Sequence, residues 1–177
     1  MSYQPVPTAV TNEVIPSSWW NTYVRDNMLA LHEAVAGVIP SARVYNSANI
    51  SIPNSTNTVL TFNNEHWDTD EMHSTVSNTG RLTCKTAGMY TIFTNIVFAD
   101  NATGERVVNI RLNGSLMIAS DRRPGHGSVN MLLSTPYNLN INDYLEVVVY
   151  QNRGGDLNVI RVSDYSPVFG MTYLGRV

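Results

Sequence analysis

The stretch "NNEHWDTDEMHS" (63–74) crowds Glu65, His66, Asp68, Asp70, Glu71 and His73 together in a chain that is only 14% charged. Such side chains could hold a divalent cation, exchange protons in catalysis, or close a turn. Read as a strand over 64–73, alternation puts His66, Asp68, Asp70 and Met72 on one face and Glu65, Trp67, Glu71 and His73 on the other. Neither face gathers three zinc ligands, and the spacing is not that of His-Glu-x-x-His on a helix. Asp68-x-Asp70 opens like a calcium loop. The position where such a loop needs Gly is His73, however, and the position of the bidentate Glu is Thr79. Short carboxylates also close turns by accepting backbone N–H bonds. The stretch therefore reads as strand and turn, with no metal site and no catalytic residue assigned. Asp68 and Asp70 remain the candidates should a cation sit near a subunit contact.

Other reactive types are sparse. Ser128 follows "GHG" without the strand–Gly-x-Ser-x-Gly–helix setting of a nucleophile elbow. His126 reads as an exposed loop residue, and Arg122 and Arg123 beside it could meet an anionic ligand at a loop tip. The single cysteine, Cys84, excludes an intrachain disulfide framework and a cysteine-rich zinc site. In "RLTCKTAG" it reads as a buried thiol on a strand. No cofactor is expected.

The elements that must position these residues fall into two textures. Residues 1–16 carry Pro5, Pro7 and Pro16 without periodicity and read as an extended arm. Residues 17–39, "SSWWNTYVRDNMLALHEAVAGVI", read as a helix that Ser17 or Ser18 could cap and that Gly37 and Pro40 could end. Its Val24, Met28, Leu31, Val35 and Val38 recur at a heptad spacing over about two heptads. That pattern suits a stem wound with other helices and equally an amphipathic helix on its own domain.

From 41 to 177, short β-rich runs alternate with turn clusters such as "PNSTN", "DNATGE" and "NRGGD", and Asn113-Gly114 is a hairpin signal. The expected fold is an all-β antiparallel sandwich or barrel. In "MYTIFTNIVF" one face carries Tyr90, Ile92, Ile96 and Phe98, and the other carries Met89, Phe93 and Val97. A strand apolar on both faces is covered on both, so a two-layer sandwich needs a further cover from another segment or subunit. A net charge of −3 without a Lys/Arg run disfavours nucleic acid as a partner. No apolar run approaches the ~20 residues of a membrane-spanning helix, and the N-terminus does not read as a Sec signal.

Phe62, five residues and Asp68, then Leu82, five residues and Gly88-Met89-Tyr90-Thr91-Ile92, with Phe169 near the end, resemble the signature of the C1q and tumour-necrosis-factor globular domain. The likeness runs through "FADNATGERVVNIRLNGS" and "NINDYLEVVVYQNRGG". It departs at Leu82 and Ile92, which the usual motif fills with aromatics, and in a longer interval between Asp68 and Leu82.

The resemblance implies a ten-stranded jelly roll in a homotrimer, which would cover the two-faced strands and give the helix two parallel partners. "WNTYVRDN" is similar to the attachment segment that precedes globular heads of tailed-phage virion proteins. The chain is therefore expected to be a non-enzymatic virion protein, a fibre head or decoration made in the host cytoplasm and displayed on the particle surface. Its arm and helix would hold other virion proteins, and its head could bind a host-surface glycan or protein. The alternatives are a trimeric glycan depolymerase using Asp68, Asp70 or Glu71, and a non-viral C1q-like binding module.

Overall fold

A computed structural model describes residues 16–29, 37 and 39–176. The chain divides into two compact units, 1–38 and 39–177. Within the first, α1 (Ser17–Trp19) runs into a π-helical segment (Trp20–Arg25), and helix continues to residue 29. Neither Ser17 nor Ser18 caps it. Pro16, extended at φ −70° and ψ 154°, takes the N-cap position, and its carbonyl accepts from Trp19 N at 3.0 Å. Proline suits this place because its fixed φ and missing N–H cost nothing at a helix start. The wider π turn breaks the strict heptad geometry across Val24. Met28 is exposed, while Leu31, Val35 and Val38 of the expected stem, and residues 1–15 of the expected arm, lie outside the described residues.

The second unit is an antiparallel jelly-roll sandwich of twelve strand segments. They are β1 (Ser41–Tyr45), β2 (Ile50–Ile52), β3 (Thr58–Val59), β4 (Asn64–Asp68), β5 (Arg81–Thr83) and β6 (Gly88–Phe98). β7 (Glu105–Leu112), β8 (Leu116–Pro124), β9 (Val129–Leu139), β10 (Tyr144–Gln151), β11 (Leu157–Val159) and β12 (Val168–Gly175) complete the set. Long strands organise each sheet. In the first sheet, β9 pairs with β6 from Gly88↔Leu139 to Phe98↔Val129. β12 and β11 share the other edge of β6 end to end, and β1 and then β4 extend the sheet beyond β12. In the second, β10 lies between β7 and the short β3 and β5, with β8 outside β7. The count exceeds the expected ten because edge partners of β6 and β10 are split into short pieces by loops.

Alternation along the long strands builds the core. Tyr90, Ile92, Ile96 and Phe98 of β6 face Val108 and Ile110 of β7 and Leu145, Val147 and Val149 of β10, all within one buried apolar cluster. Burying each large apolar side chain is worth roughly 1.5–3 kcal/mol. The Asn113-Gly114 turn forms with φ values of 50° and 71°, closed by Ser115 N donating to Leu112 O at 3.1 Å. Pairing resumes at Leu112↔Leu116, one residue later than a two-residue hairpin would give. "RRPG" is not wholly a loop: Arg122, Arg123 and Pro124 continue β8, pairing with Val107, Arg106 and Glu105.

Candidate functional site

The acidic stretch resolves into a strand and a hydrogen-bonded loop. β4 ends at Asp68 rather than continuing to 73. Asp68 Oδ1 accepts from Asp70 N at 3.1 Å and Oδ2 from His73 N at 2.8 Å, so one carboxylate fastens a turn that carries Glu71 at φ 52°. Asp70 Oδ2 accepts from Thr86 Oγ1 at 3.0 Å. The His73 side chain is fully buried, with Nδ1 2.8 Å from Glu65 Oε1 and Nε2 3.2 Å from Thr79 O. Among the described residues no group of three or more His, Cys, Asp or Glu could hold a metal ion. Asp68 and Asp70 are tied to protein donors instead.

The alternation assumed for 64–73 also fails within β4. A bulge where Arg43 and Val44 of β1 meet Trp67 and Glu65 puts His66 and Trp67 on the same side. His66 stacks on Tyr45 at 4.5 Å, Arg43 lies 5.8 Å from the Trp67 ring, and Arg161 lies 5.0 Å from the Tyr45 ring. Asp164 ties both arginines, its carbonyl accepting from Arg43 Nη2 at 2.7 Å and its Oδ1 from Arg161 Nη2 at 3.3 Å. Sequence reasoning missed this cation–aromatic cluster because bulge and register, not spacing, assemble it. A tryptophan in an otherwise polar strand was the only signal.

The signature residues serve the scaffold. Phe62 and Phe169 are buried with ring centroids 5.7 Å apart, and Leu82 is buried beneath them in the same cluster. Tyr90 donates its hydroxyl to Thr86 O at 2.6 Å, and burial above all, with Cys84 beside it, pushes that phenol far up. Burial likewise raises the Cys84 thiol, which donates to Thr86 O at 3.2 Å. Gly88 has φ 152°, and a Cβ there would stand 2.5 Å from Gly175 O. Only glycine lets β6 and the end of β12 approach so closely. Ser128 Oγ donates to Phe98 O at 3.0 Å, and His126 is exposed.

Two surfaces have features that scaffolding does not explain. On the outer face of the first sheet, Leu132 is 66% and Trp67 44% exposed, and the Phe93 ring lies across Gly170 between Val168 and Thr172. Between Leu132 and Val168 on this face, Asn95 Oδ1 is buried without a hydrogen-bond partner. On the outer face of the second sheet, Glu146 is buried between Arg81, whose Nε donates to Oε1 at 3.0 Å, and Arg111, whose Nη2 donates to Oε2 at 2.8 Å. Beyond that ladder, Asn109, Ser120, Met117 and Tyr150 line a dish of about 370 Å³, rimmed by Arg122 and Glu105. Arg122 and Arg123 are not free cations: Arg122 Nη1 donates to Glu105 Oε2 at 2.8 Å, and Arg123 Nε to Asp121 Oδ2 at 2.9 Å.

This architecture is that of the C1q and tumour-necrosis-factor jelly-roll domains. The Eiger TNF from S. frugiperda superposes with a TM-score of 0.57 at 14% identity over 78% of this chain and 94% of that one. The globular domain of zebrafish complement 1qA gives 0.54 at 17% identity over 78% and 99%. Murine APRIL gives 0.56 at 12% identity over 76% and 98%. By sequence, no family model and no curated protein matches. The likeness is thus one of fold.

Proposed function

We propose that the chain is a non-enzymatic display module. Three copies assemble through the outer face of the first sheet, and the arm and helix attach the assembly to a larger particle, the virion of a tailed phage. The heads then offer their remaining surface to a host-surface glycan or protein. The outer face of the first sheet carries this reading. Exposed Leu132 and buried Val168 flank Asn95, whose Oδ1 is unsatisfied, and Phe93 lies in the next outward row across Gly170. Apolar area on a face already packed on its other side marks an interaction surface. A buried orphan acceptor costs about 1–3 kcal/mol unless a donor arrives from elsewhere. Second and third copies would supply both, as the family resemblance implies.

Two further observations support the reading. Asp68 and Asp70, the carboxylates nearest to a catalytic pair, are held by Asp70 N, His73 N and Thr86 Oγ1, which favours binding over hydrolysis. The helix that carries "WNTYVRDN" leaves Trp20 and, just after the motif, Met28 exposed, which suits attachment, and the motif favours a virion over a non-viral module of the same fold. The decisive experiment is the mass of the purified chain by native mass spectrometry across a dilution series. A trimer that survives dilution supports the reading, and a monomer overturns it. The presence of the chain among the proteins of purified phage particles tests the placement.

A further inference from the structure

We infer that the dish on the outer face of the second sheet is a binding site for a neutral saccharide, one sugar ring per head. Its floor carries the main evidence. Asn109 is 9% exposed, yet its side-chain amide makes no hydrogen bond within the described residues. The side chain points away from the core, because Val108 and Ile110 on either side of it in β7 belong to the buried cluster. Its row across the sheet is Val148–Asn109–Ser120, and the next row is Tyr150–Val107–Arg122. Most of the residue is buried, and the exposed tip of its amide holds a donor and an acceptor toward the dish. Between Val107 and Val148, a β-branched residue would suit the strand better than asparagine.

The surroundings define the ligand. Arg122 and Glu105 neutralise one another across the rim, so the dish offers donors and acceptors without net charge. An anion would have to break that pair. Tyr150 presents an aromatic body with a polar tip, and Met117 adds an adaptable apolar edge. A paired donor and acceptor, flanking hydroxyls and a ring face match vicinal hydroxyls on a pyranose whose C–H face meets the tyrosine. At about 370 Å³ the dish lies near the small end of the ~300–1,000 Å³ typical of ligand sites. It has no deep apolar hole of the kind that anchors a peptide side chain. The cleft of about 500 Å³ near Lys85 and Arg176 is larger, but two cations line it and no aromatic ring does.

This inference deepens the display reading and rests on it for its purpose, since three shallow sites on one assembly gain by avidity. The test is saturation-transfer NMR on the intact chain with free D-galactose, D-glucose, D-mannose and N-acetyl-D-glucosamine as probes. Transfer to at least one of them is expected. It should weaken at least about tenfold in Asn109→Val and in Tyr150→Ala, a loss on the scale of one hydrogen-bonded group. Asn109→Val should also keep or raise the urea midpoint, which a merely structural asparagine would not allow. Absence of transfer from all four sugars, or transfer unchanged in Asn109→Val, overturns the site. Mass measured on the same samples separates the two readings. A trimer without transfer leaves the assembly and removes the site, and a monomer that still takes sugar does the reverse.

Discussion

Single carboxylates in this protein are occupied by backbone. Asp68 closes the turn after β4 through two N–H bonds, so Asp68→Ala should lower the urea unfolding free energy by about 1–2 kcal/mol. The loss should be the same in calcium and in a chelator; a wild-type midpoint that falls on chelation would restore the cation. Asp143 shows a second use. Burial alone would raise its carboxyl, but Asn113 Nδ2 at 2.8 Å and Asn140 N at 2.8 Å donate to it and hold it below the usual range. A depressed carboxylate stabilises the fold above its unfolded pKa of about 3.9, and that contribution is lost as pH falls through the folded value. Asp143→Asn should therefore cost about 1 kcal/mol at pH 7, with the gap from wild type closing in acid. Urea titrations from neutral to strongly acidic pH check the sign. The turn role of Asp68 was legible because the failure of each metal and catalytic spacing could be tested by counting. The shift at Asp143 was not, since its donors arrive from two separate loops.

Elements are pinned at their ends by residues whose sequence context looks unremarkable for the task. Arg106, fully buried in β7, donates through Nη1 to Thr103 O and Glu105 O and through Nη2 to Asn101 O, wrapping the loop between β6 and β7 around one guanidinium. That loop in turn holds the β8–β9 turn, through Gly125 N donating to Gly104 O at 2.7 Å and Asn101 N to Gly127 O at 3.0 Å. Arg106→Leu keeps the volume apolar but orphans several carbonyls. It should cost about 3 kcal/mol or more and raise amide exchange in both loops together. Exchange confined to one loop would show that they are not coupled. Strand identity was readable from alternation, and the two-faced pattern of β6 foretold its uncovered side. Three features escaped: the β4 bulge that brings His66 and Trp67 to one face, the run of β8 through "RRP", and the proline cap of α1. Each is set by pairing partners or local backbone that periodicity does not encode.

At the scale of the molecule, two sheets with different outer faces imply a division of labour. The outer face of the first sheet is the place to test the proposed assembly without touching the core. Leu132→Asp, on an outward and 66% exposed position, should leave the urea midpoint of the isolated head within about 0.5 kcal/mol while shifting the native mass from trimer to monomer. A trimer that persists in this variant would move the interface elsewhere. The ends of the head add a practical consequence. Ser41 pairs with Thr172, and Tyr173 N donates to Pro40 O at 2.9 Å, so the chain enters and leaves the sandwich side by side. A few residues would suffice to join 176 to 40, and new termini could be opened in a distant surface turn such as Asn152–Asp156. A tag or cargo fused after 176 would emerge where the chain enters. It would lie away from Tyr150, which sits toward the opposite end of β10 from Tyr144, near the pole that Asp143 ties to Cys84.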